Sequence, residues 1–285
     1  MKVESKSRVI SAKGGPYESS LEILSSVRVK LTEKVEGKTV MIKPHVIGND
    51  DFTTPTGVLE AIADSLDVAN PSSISLIGRD LDRFRDLGYD ELGFEFLDLK
   101  EDDSHIITAR STLNMEEIEL GLPSRLKDPN AFIISCSPIK THCKHIFMGS
   151  ITNMLDLFTD VGGIFDGPEE EKSIRWIHEN IARSMLECLP DLALIDGNNS
   201  LEGNGPLDGY HVSLGISLFS FDSVAADAVG AYLAGFNPYE IGYLYLLEKA
   251  DAGIADLSKI NLSGAGLEPR VFKRPRGYYK LVFSP

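Results

Sequence analysis

The sequence predicts an α/β fold: a mixed or mostly parallel sheet covered by helices, with a ligand crevice at the carboxyl ends of the strands. Three observations carry this. Short β-branched runs alternate with longer segments of helical period, and each run ends where polar residues begin. With 285 residues, 42% hydrophobic and 25% charged, the chain has ample material for a core. No internal repeat, low-complexity tract or Pro/Ser-rich linker marks a boundary, so residues 1–285 read as a single α/β domain, in one body or two lobes.

The elements follow in chain order. "RVISA" leads through Gly14, Gly15 and Pro16 into a segment with Leu21, Leu24, Val27 and Leu31 at helical spacing. "TVMIKP" (39–44) is the first clear strand and ends at Lys43, before a helix from Thr56 to Leu66. "SISLIG" (73–78) and "AFIISC" (131–136) are the next strands. A reactive loop (137–145) follows, then an apolar stretch "IFMGSITNMLDLF" that reads as a helix carrying Asn153. Glu170 to Leu189 places Ile174, Ile177, Ile181 and Met185 on one helical face. "LALID" (192–196) and "GISLFSF" (215–221) are strands, and Ser223 to Ala234 is a buried helix.

Charge narrows the partners. Lys plus Arg number 28 against 43 Asp plus Glu, a net charge of −15, which repels nucleic-acid backbones and anionic membrane surfaces. "DLKEDD" (98–103) and "DGPEEE" (166–171) read as solvated loops. No apolar run approaches the roughly 18 residues of a membrane helix, and "MKVESKSRVIS" lacks the apolar core of a secretion signal, so the expected location is cytoplasmic. Cys136, Cys143 and Cys188 form neither an even framework nor a Cys-x-x-Cys pair and are expected as reduced thiols.

Two segments concentrate the chemistry. In "SCSPIKTHCKHIFMGSITNML" (135–155), Lys140 follows a strand and precedes an expected helix N-terminus, a combination suited to an anion. His142 and His145 are three apart and would share a face if that helix has begun, making them metal candidates; otherwise one caps the helix and the other is solvated. Asn153 in an apolar helix needs hydrogen-bond partners and reads as support for the loop. In "IDGNNSLEGNGPLDG" (195–209), Asp196 ends a strand, Glu202 rides on the loop, and Gly203 and Gly205 let backbone amides approach a ligand. Asp222 reads as an N-cap or, with Glu202, as a further metal candidate. Asp227 interrupts a helix of Ala, Val, Gly, Tyr and Leu, so it needs Lys43, Lys140, a metal or the amides of 197–209 as a partner.

"VMIKPHV" with "TTPTGVLEAIAD", then "SPIKTHCKHIFMGSITNML", then "LALIDGNNSLEGNGP", then "FDSVAADAVGAYLAGFNPYEIGYL" together resemble the domain of unknown function 362 family in order and spacing. The matching blocks contain the ligand-binding candidates Lys43, His45, Lys140, His142 and Asn153, with Gly203, Asn204 and Gly205 of the Glu-Gly-x-Gly-Pro loop. His45 stands where that family usually has Asn. Some relatives carry ferredoxin-like cysteine clusters; this chain lacks one, so no iron–sulphur cluster is expected in it.

The reading that follows is an enzyme acting on a small anionic ligand, phosphate or carboxylate, with or without a divalent metal. Asp196, Glu202 and Asp227 are its candidate catalytic acids and bases. The alternative is a redox accessory or binding protein working with iron–sulphur partners. Neither reading specifies an oligomeric state.

Overall fold

The computed structural model describes residues 7–48, 50–100, 102–110, 117–165 and 174–284. In chain order the strands are β1 (Ser7–Lys13), β2 (Thr39–Pro44), β3 (Ser73–Gly78), β4 (Glu95–Asp98), β5 (Ser104–Arg110), β6 (Glu117–Pro123), β7 (Ala131–His142), β8 (Ile146–Met148), β9 (Leu192–Glu202), β10 (Tyr210–Val212), β11 (Ile216–Ser220) and β12 (Ile260–Gly264). The helices are α1 (Pro16–Ser26), α2 (Arg28–Val35), α3 (Thr56–Asp67), α4 (Leu81–Asp86), α5 (Gly162–Phe165), α6 (Ile174–Met185), α7 (Ser223–Leu233), α8 (Gly242–Lys249) and α9 (Tyr278–Leu281). The acidic run 166–171 lies outside the described residues, as do the first four residues of the expected helix 170–189.

One sheet runs in the order β12-β1-β11-β9-β7-β2-β3-β4, with β8 and β10 pairing off it onto β7 and β9. Its neighbours are parallel except at β11, which is antiparallel to both β1 and β9, so the sheet is mixed and mostly parallel. The fold is α/β. Both faces are covered, which explains why the central strands read as nearly continuous apolar runs. On one face Val40, Ile42, Ile134, Leu192 and Leu194 pack with α1, α3 and Phe84. On the other, Met41, Ile133, Ala193 and Ile195 pack with α6, α7 and α8. Among the described residues no helix is long and apolar enough to cross a membrane.

Three local expectations are corrected. The strand "AFIISC" does not stop at Cys136 but continues to His142, so most of the expected loop 137–145 is strand. The stretch after it is not an α-helix: Ile146–Met148 is β8, and Asn153 lies in a 3-10 turn, Thr152–Leu157. "LALID" likewise continues to Glu202. The reason is shared. β7 and β9 extend because each supplies the other's ladder, and β8 and β10 fold back onto the overhanging ends, pairings that no local period reveals.

Candidate functional site

The end of β2 is where polar chemistry enters the core. Strand alternation puts Lys43 on the same face as Met41, toward the α6–α8 layer. Its side chain is fully buried, and Nζ donates to Pro44 O at 2.8 Å and to Asp156 Oδ2 at 2.9 Å. Asp156, in the 3-10 turn, keeps its other oxygen, Oδ1, buried without a hydrogen-bond partner among the described residues. Two residues on from Lys43, His45 is held by its own backbone, with its N–H donating to Thr54 Oγ1 and its carbonyl accepting from Thr54 N, both at 2.8 Å.

Asn153 organises the centre. Its Nδ2 donates to Lys43 O, Ser135 Oγ and Cys136 O at 3.0, 3.1 and 3.2 Å, which leaves Oδ1 facing His45 Nδ1 at 3.1 Å. That orientation makes Nδ1 the protonated nitrogen of His45 and Nε2 an acceptor. Lys140 Nζ donates to this Nε2 at 2.8 Å and to Ile47 O at 3.1 Å. Burial and the two neighbouring lysines hold His45 well below the usual imidazole range, so the ring is neutral.

Lys140 is the unusual member. It is 1% exposed, and no carboxylate among the described residues forms an ion pair with it. Desolvation alone brings its amine down to about 7. The expected helix dipole is absent, because Lys140 sits in β7 opposite Met148 of β8 rather than before a helix. Its cover is the segment around Gly48 and Phe52, whose ring centroid is 5.9 Å from Nζ. At Gly48, with φ +101°, a Cβ would lie 3.9 Å from Nζ and 3.4 Å from Leu207 Cδ2.

Asp227 is fully buried, and its partners are none of those expected. Oδ1 accepts from Ser150 N at 2.7 Å and Ser150 Oγ at 2.6 Å, and Oδ2 accepts from Ile151 N at 3.1 Å. The carboxylate therefore ties α7 to the start of the turn that carries Asn153 and Asp156. Ser135 Oγ donates to Ser150 O at 2.7 Å and accepts from Asn153, so buried hydrogen bonds run from Asp227 through Ser150, Ser135, Asn153 and His45 to Lys140. Burial outweighs the three donors and pushes Asp227 up to about 7.

The other candidates lie elsewhere. Asp196 is on the face opposite Lys43, in line with Leu192 and Leu194, with Oδ1 accepting from Asn198 N and Nδ2 and Oδ2 from Asn199 N. Burial raises its pKa. Glu202 accepts from Lys273 N at 2.9 Å and Asn204 Oδ1 from Arg276 N at 3.2 Å, so both hold the basic C-terminal segment. The glycine loop likewise meets protein. Gly203 N donates to Lys273 O, and Gly205 O accepts from Cys143 N.

The metal candidates do not assemble. His142 and His145 stack with ring centroids 3.6 Å apart, both neutral through burial. His142 Nδ1 accepts the amides of Lys144 and His145 at 3.1 and 3.3 Å, which puts its proton on Nε2 and leaves it no lone pair for a metal. His145 Nδ1 donates to Phe147 O, so its Nε2 alone could ligate. Asp222 caps α7 at Ala225 N and also accepts from Ile254 N and Ser7 Oγ. Among the described residues no group of three His, Cys, Asp or Glu side chains could hold a metal ion.

Sequence reasoning missed Asp156, Ser135 and Ser150. Their signal was present as small polar or acidic residues inside apolar runs, Asp156 three positions from Asn153.

No curated protein matches the chain. A crystal structure of a protein from Thermotoga maritima is similar at 12% identity and a TM-score of 0.36, over 66% of this chain and 52% of that one, so the match spans about half of the other protein. The family described as "Domain of unknown function (DUF362)" matches residues 40–232, from β2 with Lys43 to the end of α7 beyond Asp227. By that match the chain belongs to the domain of unknown function (DUF362) family.

Proposed function

We propose that this protein is an enzyme acting on a small anionic ligand, carboxylate or phosphate, at the carboxyl ends of β2 and β7, with Lys140 as the group that meets the anion. The observation that carries the reading is a buried amine with two neutral acceptors, His45 Nε2 and Ile47 O, and no counterion among the described residues. A neutral amine has two N–H groups and both are satisfied there. Protonation adds a third N–H and a full charge with nothing among the described residues to receive them, and an anion supplies both needs. Anion binding is then coupled to proton uptake at Lys140, and release returns the proton, which is the property of a general acid and base working near neutral pH. Lys43, already paired with Asp156, shapes the site rather than binding the ligand. We place the protein in the cytoplasm, in keeping with its three unpaired cysteines.

Calorimetric titration with acetate and with phosphate tests this. Affinity for acetate should rise nearly tenfold as the pH falls from 8.5 to 7.5 and level off toward 7, with proton uptake per anion falling from about one to about one half, and Lys140→Met should abolish binding. Equal affinity in Lys140→Met and wild type would sink the reading.

A further inference from the structure

We infer that Lys140 is a nucleophile, forming an imine with the carbonyl carbon of a small aldehyde or keto acid. This rests on the proposed anionic ligand and names its class: the ligand carries a carbonyl group as well as its negative charge.

The geometry of the amine supports it. Nζ is tetrahedral, with one position bonded to Cε and two donating to His45 Nε2 and Ile47 O. In the neutral amine the remaining position is the lone pair. Both of these partners are acceptors that stabilise the neutral form, and Asn153 fixes His45 in the tautomer that accepts. Lysines activated for covalent chemistry include those desolvated in apolar surroundings, and Lys140 has Phe52 and Gly48 about it, with Leu207 beyond Gly48. Burial brings its amine to about 7, so a large share is unprotonated at neutral pH. The cover is thin: Gly48 has no side chain, and Leu207 is 69% exposed.

The step balances without oxidant or reductant. The ammonium first gives back to solvent the proton it gained with the anion, which frees the lone pair; that lone pair then forms the N–C bond while the carbonyl π pair moves to oxygen. One N–H proton passes by way of His45 Nε2 to that oxygen, giving a carbinolamine. The C–O bond then breaks, the second N–H proton leaves nitrogen, and oxygen departs as water, leaving C=N.

The wild-type protein provides the test. Glyoxylate, an aldehyde that carries a carboxylate, is incubated with it at pH 7 with sodium cyanoborohydride, which reduces C=N to a stable secondary amine, and the adducts are located by peptide mass mapping. Ordinary lysines titrate near 10.4 and are almost wholly protonated at this pH, and the α-amino group serves as the internal reference. The expected result is Lys140 modified at least tenfold faster than any other lysine, with the adduct suppressed by excess acetate. Adducts only on other lysines, or on the α-amino group alone, overturn the inference. Acetate binding by calorimetry separates the two proposals. If acetate binds and Lys140 stays unmodified, the imine falls and the anion site stands; if acetate fails to bind and Lys140 stays unmodified, both fall.

Discussion

Asp227 has three donors and, among the described residues, no cation paired with it, and its effect on the site is transmitted through Ser150 and Asn153 rather than by contact with Lys140. Asp227→Asn keeps the shape, but its Nδ2 then faces either the Ile151 amide or the Ser150 donors, and one buried donor loses its acceptor. The expected cost is about 1–3 kcal/mol. The sign of its pH dependence follows from a folded-state pKa raised to about 7. Asp227 contributes stability that is fully present below its unfolded value and is lost as the pH rises through 7. Chemical denaturation at pH 5 and pH 8 should therefore show a larger gap between wild type and Asp227→Asn at pH 5. Asp222→Asn is expected to be measurable as well, because the second oxygen of Asp222 accepts from Ile254 N and Ser7 Oγ in addition to the cap. A replacement amide satisfies the cap and loses one of the others, at about 1 kcal/mol, which the same denaturation experiment resolves.

At the scale of elements, β2, β3 and α3 were legible because their residues carry the whole signal: β-branched alternation or helical period, bounded by Lys-Pro, Gly or Thr-Pro. The segment after Cys136 was not. Its apolar residues suit a helix and a strand equally well, and what decides between them is the overhang of β9 alongside β7, some sixty residues away. Strand geometry also separates Lys43 from Asp196. Both end predicted strands, yet alternation sends one side chain to each face of the sheet. The overhang also gives the glycine loop a different task from the expected one. A Cβ on Gly205 would stand 2.2 Å from Thr141 O of β7, so the glycine permits the loop to lie directly on the strand that presents Lys140. Gly205→Ala must push loop and strand apart, and overpacking of this kind costs about 1–3 kcal/mol. The measurable outcome is a lower denaturation midpoint together with a shifted Lys140 pKa, as its cover is displaced.

The whole molecule should lose stability steeply in mild acid, and four buried histidines account for it. His45, His142, His145 and His178 are each pushed below the ordinary imidazole value by burial, His145 to about 4 and His178 to about 3. None has a carboxylate as hydrogen-bond partner among the bonds described; they face amides, carbonyls, one another and Lys140. Below about pH 6.5 the unfolded chain protonates all four while the folded chain holds them neutral, so the unfolded state binds more protons and stability rises with pH across this window. Each such group contributes a slope of about 1.4 kcal/mol per pH unit. Asp227 works in the opposite direction between its unfolded value and about 7, and Asp191 and Asp196, also raised by burial, offset part of the slope at its acid end. Four terms against one leave a net of about 4 kcal/mol per pH unit at the steepest point, large against the roughly 5–15 kcal/mol that usually separates folded from unfolded. Denaturant midpoints measured from pH 8 to pH 5 should thus fall gently from 8 to 7, where the lowered amine of Lys140 alone adds a slope approaching about 1.4 kcal/mol per pH unit, and fall sharply below 6.5, with about three protons taken up on unfolding. A profile flat down to pH 5 would mean that the folded protein charges these rings, and the neutral tautomers assigned to His45 and His142, on which the acceptor role of His45 toward Lys140 depends, would be wrong.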